Sequence, residues 1–320
     1  MSIVCSGSVA YDYLMKFPGY FKDHILQDHL DSISLSFLVD EMVRHQGGIA
    51  PNICYTFALL GEKPLLFAAV GEDFEDYRHW LTERGIDCRF ARVIPGKYTA
   101  SFFENTDLSN AQIATFYTGA MKNSADLKLS ELKKEKIDLF IVSPSDPEAM
   151  IGYVRQCKEY GVPYAFDPSQ QIVRMNKSMI IEGISGAKFL FCNDYEFALL
   201  QKHGEISQEE ILKKVYCVII TLGENGSMIY VDGKEYRIPV FPPMKIKDPT
   251  GVGDAYRSGF ITGYFKGLDW ELCGKMGALA STYVLEQVGT QSHAYTRQEF
   301  INRFRLLWDD QGKLDILLLK

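Results

Sequence analysis

Lys247-Asp248-Pro249-Thr250-Gly251-Val252-Gly253-Asp254-Ala255-Tyr256-Arg257-Ser258-Gly259-Phe260 is the stretch from which the rest of the chain is read. Pro249 disfavours helix at Asp248, and Thr250 can cap one. From about Gly251 the apolar positions Val252, Ala255, Tyr256, Phe260, Ile261 and Tyr264 recur at helical spacing and predict a buried stripe. Gly251 and Gly253 carry no Cβ, so a ligand can approach the backbone N–H groups closely. Unpaired N–H groups and the positive end of the helix dipole together make an anion site. Asp254 does not suit simple anion binding, because its carboxylate repels a phosphate. It fits if it takes a proton from a hydroxyl that attacks phosphorus. An anion hole beside a general base is what phosphoryl transfer to an alcohol requires. Two other readings are a glycine-rich helix start with a solvated Asp, and a dinucleotide fingerprint. The fingerprint fails because Gly251-x-Gly253-x-x runs on to Tyr256, far from any first βα turn. A Walker loop fails because no Gly-Lys-Ser/Thr follows.

Outward from this loop, apolar runs alternate with amphipathic stretches. Strands are expected at Ile3–Val9, Pro64–Val70, Ile137–Val142, Pro163–Phe166, Lys188–Cys192 and Cys217–Leu222. Helices are expected directly after Gly47-Gly48, running through Asn52 to Leu60, and over Phe74–Arg84 with Gly85 as the stop, Pro147–Tyr160 and Asp194–His203. Near-continuous Val/Ile/Leu/Phe strands alternating with helices argue for a mostly parallel sheet covered on both faces. Gly226–Val240 reads as a hairpin turning at Asp232-Gly233. Two closing helices are expected, an apolar one over Trp270–Val288 and an amphipathic one over Thr296–Trp308. Two stretches break the pattern. Tyr13–Gln46 has no clean period, and Tyr98–Tyr117 alternates like paired strands around a polar turn. They form either a small β-layer acting as a lid or two ordinary surface excursions.

Composition agrees with a globular α/β protein. The chain has 320 residues, 47% hydrophobic and 23% charged, enough for about two domains, or one large domain with an accessory piece. Disordered, collagen-like and low-complexity classes are excluded. A chain this long buries about three quarters of its surface and needs no disulfide or structural metal. The net charge of −7 argues against a general nucleic-acid or anionic-membrane binder. Seven cysteines, an odd number with no CxxC, read as reduced thiols in a cytoplasmic protein. MSIVCSGSVA lacks the basic and long apolar regions of a signal peptide. The six histidines, His24, His29, His45, His79, His203 and His293, show no metal spacing, and neither HExxH nor GxSxG occurs.

The DPTGVGD loop followed by Ala255-Tyr256-Arg257-Ser258-Gly259-Phe260 resembles the C-terminal signature of the ribokinase-like (PfkB) sugar and nucleoside kinases. Four further segments are similar to that family's motifs, in its order. His45-Gln46-Gly47-Gly48-Ile49-Ala50-Pro51-Asn52 is like the paired-glycine signature. Gly7-Ser8-Val9-Ala10-Tyr11-Asp12 is like the strand end carrying a substrate-binding Asp. Asn193-Asp194-Tyr195-Glu196 is like N-x-x-E, and Thr221-Leu222-Gly223-Glu224-Asn225-Gly226 is like T-x-G-x-x-G. Within the family, segments such as Ser34–Asp40, Ala111–Tyr117, Asp167–Gln171 and Leu285–Gln291 resemble bacterial adenosine kinases. Pro51 departs from the pattern, where a small residue is usual.

The resemblance implies a three-layer α/β/α core over residues 1–12, 49–96 and 122–320, with a β-sheet lid over 13–48 and 97–121 covering the substrate site. It implies ATP-dependent phosphorylation of a nucleoside 5′-hydroxyl, adenosine to AMP leading. Asp254 would be the base, and the amides of Gly251, Val252 and Gly253 would hold the phosphoryl group. Asp12, Gly48 and Asn52 would hold the ribose. Phe102 and Phe116 would sandwich the base or else simply pack in the lid, with Ser8, Ser36, Gln170 and Gln171 nearby. Arg174 would neutralise phosphate charge or make a surface ion pair. Asn193 and Glu196 would face the outer sphere of Mg²⁺. Thr221, Gly223 and Gly226 would border ATP. Asp248 lies on a loop that in many relatives holds a monovalent cation such as K⁺. A lid apolar on both faces could pair two copies as a homodimer. The alternatives are a sugar kinase acting on ribose or fructose, and a non-catalytic nucleoside binder on the same fold.

Overall fold

The computed structural model describes residues 2–25 and 34–319. Residues 26–33 of the first aperiodic stretch, His29 among them, lie outside the described residues. In chain order the elements are β1 (Ile3–Ser6), β2 (Ala10–Lys16), β3 (Glu41–Gly47), α1 (Ile49–Leu59), β4 (Leu65–Val70), α2 (Glu75–Glu83), β5 (Asp87–Val93), β6 (Ala100–Thr106) and β7 (Gln112–Tyr117). They continue as β8 (Leu139–Val142), α3 (Pro147–Tyr160), β9 (Tyr164–Phe166), α4 (Lys177–Ile184), β10 (Phe189–Asn193), α5 (Asp194–Gly204), α6 (Gln208–Lys214) and β11 (Cys217–Thr221). The chain ends with β12 (Ser227–Val231), β13 (Lys234–Ile238), α7 (Val252–Phe265), α8 (Trp270–Leu285) and α9 (Arg297–Phe304).

The main sheet is nine-stranded, in the order β13-β12-β11-β10-β9-β8-β1-β4-β5. From β11 to β5 all neighbours are parallel, and β12 and β13 close one edge antiparallel. Strand side chains alternate between faces. Ile3 and Cys5 pack with Ile53, Phe57, Tyr77 and Phe260, from α1, α2 and α7. Val4 packs on the opposite side with Met150, Val154, Ile180 and Phe197, from α3, α4 and α5. The result is the expected three-layer α/β/α arrangement. No described helix is long and apolar enough to cross a membrane, and all seven cysteines are free and buried.

The second sheet is four-stranded, in the order β3-β2-β6-β7. It starts at Ala10, which pairs with Gly47 and Ala100. This corrects the expected boundary after Asp12: the end of the 1–12 stretch belongs to the small sheet. Tyr13–Gln46, which shows no period, holds the rest of β2 and most of β3, because polar and apolar residues mix on both faces of so thin a sheet. β5 was also unexpected. It is an edge strand whose two arginines, Arg89 and Arg92, interrupt the apolar run. Helix α1 begins at Ile49, directly after Gly47-Gly48 as expected. Pro51 sits in its first turn, where no intrahelical N–H is lost.

Candidate active site

A cavity of about 620 Å³ opens between the C-terminal ends of the parallel strands and one face of the small sheet. Open α/β sheets bind ligands at this edge. From the main sheet it is lined by Ser8 after β1, Pro144 after β8, Ser169 after β9, Asn193 closing β10 and Thr221 closing β11. Gly48, Asn52, Gly251, Gly253 and Asp254 line it from the starts of α1 and α7.

Asp254 is buried, 7% exposed, in the first turn of α7. Its Oδ2 accepts a hydrogen bond from Asn52 Nδ2 at 2.9 Å, and its Oδ1 faces Arg257 Nη1 at 3.3 Å. Burial pushes its carboxyl up to about 6, with the Glu196 charge adding to the rise, while Arg257 and Asn52 oppose it. The group is therefore mostly ionised at neutral pH, the form that accepts a proton, and the protonated form it becomes lies close in free energy. Gly251 is the N-cap in left-handed conformation, φ +79°, and a Cβ there would lie 2.9 Å from Thr290 Cγ2. The first i→i−4 bond of the turn is Ala255 N–H to Gly251 O at 3.1 Å, so the amides before it are outside the helical ladder. Of the three expected to hold a phosphoryl group, Gly251 and Gly253 line the cavity. Val252 does not; its N–H turns back on Pro249 O at 3.4 Å, a consequence of the left-handed cap.

One row of the small sheet faces the cavity. His45, Asp12, Phe102 and Phe116 are successive cross-strand partners on β3, β2, β6 and β7, so their side chains share a face. Asp12, Phe102 and Phe116 line the cavity. A carboxylate thus stands beside two aromatic rings. Burial raises the Asp12 carboxyl to about 6, with His45 opposing and Asp248 and Glu104 reinforcing. Gly48 lets the paired-glycine turn lie against β2: at φ +93° a Cβ would meet Ala10 N, Ser8 O and Val9 Cα at 2.6 Å. Ser8 accepts the N–H of Ile49 at 3.2 Å, capping α1 from the cavity rim.

Gln170 and Gln171 both line the cavity. Gln171 is buried, and its Oε1 accepts from Arg174 Nη1 at 3.0 Å, leaving its amide N–H groups for a ligand. Arg174 itself stands outside the lining, half exposed, 3.9 Å from Asp146. Asn193 and Glu196 line the cavity but form a capping box of α5: Asn193 Oδ1 accepts from Glu196 N, and Glu196 Oε2 from Asn193 N. Glu196 Oε1 accepts from Ser169 Oγ at 3.0 Å. Gly223 and Gly226 flank the turn after β11, where only Thr221 reaches the cavity. Asp248 lies off the lining and ties two loops, accepting from Thr250 N at 2.8 Å and Gly289 N at 3.0 Å. Burial works against it, but these bonds hold its carboxyl below the ordinary range. Ser36 is exposed and outside the lining, a correction. Its neighbour Phe37 packs on Phe17 and Phe21, with centroids 5.0 and 4.8 Å away, and that anchor turns Ser36 outward.

The family model for pfkB family carbohydrate kinases matches residues 9–297. The chain belongs to the pfkB family. It is a phosphotransferase acting on an alcohol group, with the ribokinase-like fold. This pfkB kinase is 31% identical to a nucleoside kinase of Methanocaldococcus jannaschii over 94% of its own length and 96% of the relative's. It is 26% identical to a cytidine kinase of Thermococcus kodakarensis, over 84% and 98%. Among solved structures it superposes on a Burkholderia thailandensis nucleoside kinase in complex with inosine, with TM-score 0.83 and 34% identity over 96% and 97% of the two chains. The same enzyme has been solved with ADP and inosine, TM-score 0.82 at 34% identity over 96% and 95%.

Four residues of this pfkB kinase site were not expected from sequence. Gln291 Nε2 donates to Asn52 Oδ1 at 2.8 Å and to Tyr77 Oη at 2.5 Å, and Tyr77 donates to Gly47 O at 3.0 Å. With Oδ1 held as acceptor, the Asn52 amide can only present its NH₂ to Asp254. Arg257 and Asp167 are the other two. Arg257 follows Asp254 by three positions, a spacing legible in the sequence; Asp167 and Gln291 are brought in by the fold alone.

Proposed function

We propose that the chain is an ATP-dependent nucleoside kinase that phosphorylates the 5′-hydroxyl, adenosine to AMP being the leading reaction, in recovery of free purine nucleosides. The observation that carries the reading is the Asp254 carboxylate in the cavity beside the Gly251 and Gly253 amides, facing a sheet row of Asp12, Phe102 and Phe116. Asp12 accepts the ribose hydroxyls; an ionised carboxylate is a pure acceptor and suits a vicinal diol. The aromatic pair stacks on the base, and Gln171 offers its amide N–H groups to the base edge. The small sheet closes over the nucleoside as a lid and keeps water from the γ-phosphate.

In the chemical step the 5′-oxygen forms a bond to the γ-phosphorus, and the bond to the β,γ-bridging oxygen breaks. The electron pair leaves on ADP, and the hydroxyl proton passes to Asp254. The amides of Gly251 and Gly253 hold the equatorial oxygens in flight. ATP's adenosine end is assigned to the turn bearing Gly223 and Gly226, beside a hollow of about 370 Å³ lined by Glu224, Asn225, Arg237, Pro239 and Val240. Glu196 suits the outer sphere of Mg²⁺ carried on the nucleotide phosphates: no cluster of three metal-ligating side chains exists among the described residues, and Mg²⁺ keeps most of its water. Mg²⁺ supplies charge neutralisation on those phosphates. Asp248 lies off the cavity lining, so no step is assigned to K⁺. The apolar residues Ile113 and Tyr117 exposed on β7, an edge strand, favour a homodimer through the small sheet; light scattering coupled to size exclusion tests it, and a monomer rejects it.

The inosine complex and the cytidine kinase name favour a second reading, a kinase of wider base tolerance. A panel of adenosine, inosine, guanosine, cytidine, ribose and fructose with ATP, followed by ADP release, separates them. Turnover of adenosine over the rest supports the first reading, comparable turnover of several nucleosides the second, and phosphorylation of ribose or fructose alone overturns both.

A further inference from the structure

Beneath the anion loop lies a buried charge cluster that the reaction as described does not use. Arg257 is on α7, one turn beyond Asp254, with its side chain 10% exposed and lining the cavity. Nη1 reaches Asp254 Oδ1 at 3.3 Å, and Nη2 donates to Asp167 Oδ1 at 2.6 Å. Asp167 follows β9 and is fully buried. Arg257 Nε and Asp167 Oδ2 are buried without a hydrogen-bond partner among the described residues. The guanidinium also lies against Gly253: a Cβ there would be 2.8 Å from Nη1. Gly253 thus has a second duty besides opening its amide to a ligand, for it makes room for a cation directly behind the anion hole.

A buried ion pair with unused donors and acceptors seldom repays its desolvation, so stability alone does not account for this cluster. Its geometry points to the base. We propose that Arg257, anchored on Asp167, is the positioning residue of Asp254: it fixes the carboxylate at the mouth of the anion hole and keeps it able to accept the hydroxyl proton. The inference rests on the reading of Asp254 as base.

The electrostatics agree with the geometry. Burial drives the Asp254 carboxyl up, and Arg257 is the largest influence opposing that rise. The other charged or titratable groups around the cluster are Glu196 on α5, Asp167 after β9 and the Cys192 thiol on β10. Glu196 raises Asp254, and burial raises Asp167 to about 7. Asp167 and Asp254 therefore compete for one guanidinium. A base must be deprotonated, so the rate rises with pH through the Asp254 pKa and then levels. Removing the cation moves that rise to higher pH, and removing the competing carboxylate moves it to lower pH.

The test is the single-turnover rate of phosphoryl transfer, by rapid quench at saturating adenosine and ATP–Mg²⁺, from pH 5 to 9. Arg257→Gln is expected to shift the rise upward by about one pH unit or more, so that a loss of about tenfold at pH 6 shrinks by pH 9. Arg257→Lys keeps a charge but lacks the rigid fork that holds both carboxylates at once, and falls between. Asp167→Asn shifts the rise downward. Circular dichroism confirms folding; if Arg257→Gln does not fold, the Lys and Asp167→Asn variants carry the comparison through their opposite shifts. A rise that stays put in these variants, or a loss equal at every pH, overturns the inference. Failure of the underlying reading is distinct: there Asp254→Asn itself keeps the rate.

Discussion

Replacing Asp254 by Asn isolates the proton-accepting role. Two donors face this carboxylate, Asn52 Nδ2 at 2.9 Å and Arg257 Nη1 at 3.3 Å. An amide has one acceptor oxygen, so one of these contacts becomes donor against donor, at about 1–3 kcal/mol. Against that, the variant no longer buries a charge whose pKa burial has raised to about 6. The two effects oppose each other, so the fold should hold and unfolding should shift little. Nucleoside affinity should change by less than about threefold, because the expected ribose and base contacts, Asp12, Phe102, Phe116 and Gln171, lie elsewhere on the wall. Turnover is another matter. Loss of a general base removes about 10²–10⁴ in rate, or roughly 3–5 kcal/mol of transition-state stabilisation. Steady-state ADP release at saturating adenosine gives kcat, and calorimetric titration gives the nucleoside Kd. Turnover within a few-fold of wild type, or a loss found entirely in Kd, would refute the reasoning.

Asp12→Ala removes the acceptor beside Phe102; with charged hydrogen bonds worth about 1.5–3 kcal/mol each, KM for the nucleoside should rise at least about tenfold while kcat falls less. An unchanged KM takes Asp12 out of the site. Gly251→Ala forces a left-handed residue, φ +79°, and sets a Cβ 2.9 Å from Thr290 Cγ2. Urea unfolding should show about 1–2 kcal/mol lost, with lower kcat; intact stability and turnover together would show that the loop does not need its cap.

The parts of the fold that were legible are those whose punctuation is local. Helix α3 matches at both ends because Asp146 accepts from Glu148 and Ala149 N–H, Pro147 opens the first turn, and Gly161 closes it at φ +65°. The β12–β13 hairpin turns where Asp232-Gly233 allows positive φ at both residues. Helices α4 and α6 were missed, being eight and seven residues long, too short for a period to emerge. The Ser207–Glu210 capping box was a signal for α6 that could have been used. Strand β2 was lost between the strand run ending at Val9 and the aperiodic stretch beyond, since its register with β3 and β6 is set by residues far along the chain.

The same distinction runs through the site. Asp254 with Gly251 and Gly253 was legible because base and amides sit in one helical turn. The N-x-x-E segment, read as a metal outer sphere, is also a helix cap, and short-range pattern does not separate the two uses. The lock that sets the Asn52 amide joins Asn52 to Gln291, 239 positions away, and the Arg257 anchor joins it to Asp167, 90 away. Neither pairing leaves a trace in the spacing of residues.

The most direct measurement is a crystal structure of the protein with adenosine and a non-hydrolysable ATP analogue. The account predicts the 5′-oxygen within about 2.6–3.2 Å of an Asp254 carboxylate oxygen, with the γ-phosphate against the Gly251 and Gly253 amides. A 5′-oxygen out of reach of Asp254, or a γ-phosphate seated away from that turn, would contradict it.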